Sequence, residues 1–204
     1  MTVEGRGVQT IVKVGGGLLS RAGAFELVTG ALATLQGRRL LVVPGGGPFA
    51  QAVRELVRRV KVGEEAAHWM AVLGMDQYAH ALTERTPGAV LVEDLPEVEA
   101  TLASGGVPVL APYRWLRKAD PLPHSWSATS DSVAAWIAGA VGAQRIVLIK
   151  PAKGNTSRMV DPLFLQTLPR GVDCVMLSAH ELEQLGAVLD PSYRMAPGSA
   201  INER

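Results

Sequence analysis

The sequence predicts an α/β fold, a mainly parallel sheet with helices on both faces. Three observations point there. Short runs of β-branched and aliphatic residues alternate along the chain with longer runs of helical period. Two of the short runs, RLLVV at residues 39–43 and RIVLIK at Arg145–Lys150, are apolar at nearly every position, the pattern of strands covered on both faces. Two strand ends run into triple glycines, at Gly15, Gly16, Gly17 and at Gly45, Gly46, Gly47.

Residues 8–14 read as the first strand. Residues 22–35 read as a helix, because Phe25, Val28, Leu32 and Leu35 share a 3.6-residue period. After the strand at 39–43, residues 48–60 form a helix opening on Pro48, whose missing N–H costs nothing in a first turn. A longer helix, rich in Ala, Met and Leu, covers 64–83. It is expected to pack within its own chain, with a homo-oligomer through this helix as the alternative. The pattern then repeats: strand 89–92, helix 95–104, strand 107–110. A Pro-rich loop is expected over 111–127, long enough to suggest function. Residues 129–141 form a helix with Val133, Ile137 and Val141 on one face. The strand 145–150, a short helix at 161–168 and a strand at 172–177 complete the alternation. Ser178 and Glu181 have the spacing of a capping box for a last helix.

Composition narrows the function. The chain has 204 residues, which fit one domain over 1–204 with an irregular tail from about 191. Hydrophobic residues are 48 % and mean hydropathy is +0.17, which excludes a disordered chain. No uninterrupted apolar run reaches membrane-spanning length. Twenty Lys and Arg against 19 Asp and Glu leave a net charge of +1, so there is no electrostatic footprint for nucleic acid or anionic lipid. The lone Cys174 permits no internal disulfide, and the first residues lack the apolar core of a secretory signal. A cytoplasmic setting is expected.

Ligands of open parallel sheets bind beyond the carboxyl ends of the strands. In Val12-Lys13-Val14-Gly15-Gly16-Gly17 the glycines let backbone N–H groups approach an anion, and a helix N-terminus after them would add positive potential. Lys13 either reaches a phosphate or snorkels to solvent. The second glycine run, continuing into Pro48-Phe49-Ala50, repeats the device. Two such cradles side by side suit a transfer between two phosphate-bearing molecules. The Walker pattern is absent. Gly45, Gly47 and Ala50 fit a dinucleotide-binding pattern formally, but the stretch where a second strand should end in an acidic residue is helical.

Two further segments carry candidates. His124-Ser125-Trp126-Ser127-Ala128-Thr129-Ser130-Asp131 crowds polar residues at a helix start, with Thr129 as N-cap. Asp131 either serves the helix terminus or points into the cleft and orients a lysine. His124 either touches substrate or is structural. Lys150 and Lys153 come at and beyond the end of a buried strand, where either one neutralises nucleotide phosphate or lies in a solvated loop. Arg54, Arg58 and Arg59 read as a solvated helix face, Met70 and Met75 as helix packing, and Cys174 as a small buried hydrophobe. No cluster has metal-ligand spacing.

Taken together, VKVGGGLL at 12–19, VVPGGGPFA at 42–50, TSDSVAAWIA at 129–138 and the RIVLIK strand resemble the amino acid kinase superfamily. That superfamily includes acetylglutamate, aspartate, uridylate and isopentenyl phosphate kinases. The resemblance implies a three-layer αβα sandwich, ATP with Mg²⁺, and γ-phosphoryl transfer to a small acceptor. It implies that Lys13 stabilises the transferring group and Asp131 organises the lysines. Gly15, Gly16 and Gly17, with Lys150 or Lys153, would hold nucleotide phosphates. Gly45, Gly46 and Gly47, with His124 and Ser130, would hold the acceptor. The PHSWSATSDSVAAW and VDPLF segments are most similar to the small kinases of methanofuran biosynthesis, which convert (aminomethyl)furanyl-methyl phosphate to a diphosphate. One departure stands out. Several members have a second catalytic lysine near the C-terminus, and this chain has no lysine after Lys153.

Overall fold

The computed structural model describes residues 7–152, 159–190 and 192–194. Six strands form one sheet: β1 (Thr10–Val14), β2 (Leu40–Pro44), β3 (Ala89–Val92), β4 (Val107–Leu110), β5 (Arg145–Lys150) and β6 (Asp173–Ser178). Their order is β3-β4-β2-β1-β5-β6, and every described pairing is parallel. The helices are α1 (Ala24–Ala33), α2 (Gly47–Val60), α3 (Glu64–Arg85), α4 (Leu95–Ala103), α5 (Tyr113–Ala119), α6 (Ser130–Val141), α7 (Phe164–Thr167) and α8 (Leu185–Val188). The expected α/β architecture, helices on both faces of a parallel sheet, is what the chain adopts.

Strand alternation divides the core in two. Ile11, Leu41, Val43, Leu110, Ile146 and Leu148 face one side, under Trp69, Val72, Met75, Val133, Ile137 and Phe164. Val12, Val14, Val42, Val109, Val147 and Ile149 face the other, under Val28, Leu32, Tyr78, Leu82, Leu185 and Val188. The helix α3 serves both: Trp69, Val72 and Met75 enter the first cluster, and Tyr78, Ala79 and Leu82 enter the second. The expectation that it packs within its own chain agrees with this.

The strand order places β1 between β2 and β5. From β1 the chain adds β2, passes out to the edge strand β3, inserts β4 between β3 and β2, and then crosses back to build β5 and β6 on the other side of β1. The carboxyl ends of β1 and β5 therefore flank a topological switch point, where parallel sheets leave a crevice.

Four expectations are corrected. The loop expected over 111–127 contains α5, a two-turn helix begun at Pro112 and stopped at Asp120, whose φ is 42°. Its buried Leu116 anchors it, and the flanking prolines concealed it. The first glycine run does not enter an α-helix directly: Gly16–Ser20 forms a 3-10 turn, and α1 starts only at Ala24. The short helix expected from 161 is confined to α7. At Ser178 the Glu181 carboxylate does accept from the Ser178 N–H and hydroxyl, at 3.1 and 2.8 Å, but it opens a 3-10 turn, Leu182–Gln184, before the one-turn α8. The tail beyond 194 and Lys153 lie outside the described residues. Among the described residues no helix is long and apolar enough to cross a membrane.

Candidate active site

Lys13 lies near the end of β1 on the same face as Ile11, and Lys150 ends β5 on the same face as Leu148. Lys13 is in register with Leu148, so Lys150 lies one side-chain step further along the neighbouring strand. Both converge on Asp131, in the first turn of α6. Lys13 Nζ donates to Asp131 Oδ1 at 2.7 Å. Lys150 Nζ donates to Oδ1 at 2.9 Å and Oδ2 at 2.8 Å, and to the Met159 carbonyl at 2.7 Å. The three residues are 3 %, 5 % and 7 % exposed, in the order Lys13, Asp131, Lys150.

Two ammonium groups sharing one carboxylate leave a net positive charge where burial is costly. Burial alone would raise the Asp131 carboxyl, but the two lysines hold it below its ordinary value. Burial, helped by repulsion from Lys13, pushes Lys150 below the ordinary lysine range, while Asp131 opposes. Asp161, facing Lys150, also favours its charged form and offsets part of that excess.

A cleft of about 630 Å³ opens from this cluster. Lys13, Asp131 and Lys150 line its floor, and Gly15, Gly16, Gly17, Gly46, Gly47, Thr129 and Ser130 line its inner wall. Further out lie Arg54, Glu64, His68 and Trp126. The N-termini of α2 and α6 both open on the cleft, so they supply the helix-end potential that was expected from a helix after the first glycine run.

The two glycine turns are packed against each other. A Cβ on Gly16 would lie 2.3 Å from the Gly47 nitrogen, and one on Gly45 would lie 2.6 Å from the Gly16 nitrogen. Gly45 N–H also donates to the Val14 carbonyl at 2.8 Å. Gly47 has φ of 55°, a left-handed conformation suited to glycine. Gly45 is thus a packing residue beneath the cleft rather than part of its lining. Ser130 lines the cleft, and His124 does not. His124 pairs with Asp120 at 2.8 Å and stacks behind His68, centroids 4.5 Å apart, and it is His68 that reaches the cleft. Burial, with His124 alongside, lowers the pKa of His68.

Arg54 lies on the exposed face of α2, as expected, but it also lines the cleft: its guanidinium lies 4.4 Å from the centroid of the Trp126 ring. The signal was present in the spacing. Arg54 is seven residues beyond Gly47, two helical turns, and so shares its face. His68 and Trp126 carried no comparable signal.

The model of the amino acid kinase family matches residues 9–154. The chain belongs to the amino acid kinase family. Over 145 residues it is 26 % identical to the [5-(aminomethyl)furan-3-yl]methyl phosphate kinase of Methanocaldococcus jannaschii. That match takes in 71 % of this chain and 66 % of the relative, just under two thirds of its length. The fold is similar to uridylate kinase from Archaeoglobus fulgidus, with TM-score 0.62 and 14 % identity over 87 % of this chain and 95 % of that one. UMP kinase from Ureaplasma parvum aligns with TM-score 0.61 and 12 % identity over 92 % and 97 %. In this member of the amino acid kinase family, Lys150 brings a second ammonium to Asp131 from the end of β5.

Proposed function

We propose that this chain is an ATP-dependent phosphotransferase that converts a small phosphate monoester to its diphosphate, with (aminomethyl)furanyl-methyl phosphate as acceptor. The carrying observation is the buried Lys13–Asp131–Lys150 cluster, two ammonium groups on one carboxylate, at the floor of a cleft walled by two glycine turns. Family membership supports the kinase chemistry, and the activity for which the archaeal relative is named supports the acceptor.

In this reading an oxygen of the acceptor phosphate attacks the γ-phosphorus of ATP. One P–O bond forms there as the bond to ADP breaks. Charge spread over the transferring oxygens is met by the Lys13 and Lys150 ammonium groups, which Asp131 holds in place before reaction. Nucleotide phosphates lie against Gly15, Gly16 and Gly17, and the acceptor lies against Gly46, Gly47 and Ser130, with Arg54 at its outer end. Both Asp131 oxygens are already taken by lysines, and no cluster of metal-ligating side chains occurs among the described residues. Mg²⁺ accompanying ATP would supply further charge neutralisation at the nucleotide phosphates, beside Gly15, Gly16 and Gly17. Use of ATP favours a cytoplasmic site of action.

The test is ADP release with MgATP across a panel of acceptors: the furan phosphate, a nucleoside monophosphate, an isoprenoid phosphate and an amino acid. Turnover restricted to the furan phosphate and lost in Lys13→Ala is the expected result. Turnover on another acceptor alone would move the substrate, and nucleotide binding without turnover on any acceptor would sink the kinase reading.

A further inference from the structure

The first turn of α6, which carries Asp131, is held from outside its own helix. Thr129 is the N-cap residue, yet its hydroxyl makes no bond within α6. It donates to Asp161 Oδ2 at 2.8 Å instead. The same oxygen accepts the Thr129 N–H at 2.9 Å and the Ser132 N–H at 3.0 Å. Asp161 Oδ1 accepts the Ser132 hydroxyl and, at 3.2 Å, the Leu163 N–H. One buried carboxylate thus takes five donors, four of them from the residues on either side of Ser130 and Asp131. Two residues earlier, the Met159 carbonyl takes a hydrogen of the Lys150 ammonium.

A local hydroxyl or carboxylate would cap α6 at less cost, because burying a carboxylate is unfavourable unless several donors compensate it. The remote carboxylate does what a local cap cannot. It fixes the first turn of α6 to the segment that also holds Lys150, so two of the three charged groups share one support.

We propose that Asp161 is a positioning residue of the phosphoryl-transfer site, anchoring the first turn of α6 so that Asp131 meets Lys13 and Lys150 in one geometry. The proposal rests on the kinase reading above. Asp161 has a second effect, electrostatic, on Lys150. The groups facing Lys150 are Lys13 from β1, Asp131 from α6, the Cys174 thiol from β6 and Asp161 itself. Removing the Asp161 charge leaves Lys150 with one carboxylate instead of two.

The experiment compares wild type, Asp161→Asn and the double variant Thr129→Val with Ser132→Ala, which keeps the charge and removes two of the five donors. Asp161→Asn is expected to lower kcat by about 10- to 100-fold, with both KM values nearly unchanged. The alkaline limb of its kcat profile moves to lower pH. The double variant lowers kcat less and leaves that limb in place. A lysine NMR titration reads the same Lys150 shift without turnover, and with five lysines in the chain the signals are tractable. Folded Asp161→Asn with wild-type kcat and an unmoved Lys150 titration would overturn the proposal. If Asp161→Asn does not fold, a double variant with unchanged kcat overturns it. Wild type without turnover on any acceptor fails the kinase reading instead, and the lysine titration then decides the Asp161 question alone.

Discussion

Lys13 and Lys150 stand on adjacent parallel strands and share a single acceptor atom, Asp131 Oδ1, at 2.7 and 2.9 Å. Two like charges so placed repel one another; the carboxylate between them bridges the pair, and the Met159 carbonyl and Asp161 further support Lys150. Such a cluster suits the proposed phosphoryl-transfer role better than a stabilising one.

Function and stability should therefore respond with opposite sign at Lys13. Lys13→Met removes one buried charge and its repulsion of Lys150, and leaves Asp131 still paired with Lys150. It should raise unfolding free energy by about 1 kcal/mol while lowering kcat by about 10²- to 10³-fold. Asp131→Ala strands two ammonium groups and should cost about 3–5 kcal/mol. Denaturant melts beside steady-state rates check both, and a Lys13→Met variant less stable than wild type contradicts the charge argument.

The glycine turns make a second prediction. Gly16→Ala places a methyl group against the Gly47 backbone, and Gly45→Ala places one against Gly16. Neither neighbour is a flexible side chain, so the turns must separate. Both variants should lose stability and raise KM for both substrates. Gly30→Ala, inside α1 with nothing within 4 Å of the added carbon, should instead stabilise by about 0.5–1 kcal/mol. Thermal melts of the three variants distinguish contact from generic glycine replacement.

Much of this fold was legible because strand and helix periods are local properties. The RIVLIK and RLLVV runs and the two glycine runs marked β5, β2 and the cleft. Lys13 and Asp131 were legible as candidates because each put a charge beside apolar sequence. Convergence could not be read in the same way. The union of Lys150 with Asp131 depends on β5 lying next to β1, a consequence of strand order rather than of spacing. Asp161 looked like part of a short helix because four of its five donors lie 29 to 32 residues away. His124 was misplaced because a stack on His68 is a tertiary contact.

Asp76 should govern part of the pH dependence of stability. Burial lifts its carboxyl to about 6, against the opposing Tyr113 N–H, which donates to it at 3.0 Å. The folded state thus holds a proton that the unfolded chain, with a carboxyl near its ordinary value, has released. Between about pH 4 and 6 the native state binds more protons than the unfolded one, so this group's contribution declines as pH rises through that window. Asp76→Asn keeps an acceptor for Tyr113 and removes the charge. It should raise stability at pH 7 by about 1 kcal/mol, discounted for partial exposure, and leave it unchanged at pH 4. Melts at the two pH values decide it, and an equal effect at both would assign the change to packing.

Arg54 offers the sharpest test of the outer cleft. Its guanidinium is held over the Trp126 ring, which fixes a planar cation on the cleft wall, and no acidic partner pairs with it among the described residues. In the proposed reaction that cation meets the acceptor and not the transferring group. Arg54→Ala should then raise KM for the acceptor by about tenfold, with kcat and KM for ATP little changed. Arg54→Lys should fail to restore the wild-type value, because a lysine ammonium lacks the flat surface that stacks on indole and the fork that grips phosphate. Trp126→Ala should reproduce part of the Arg54→Ala effect, since it frees the guanidinium without removing it. Equal losses in kcat across all three variants would move Arg54 from acceptor binding to the transfer step itself.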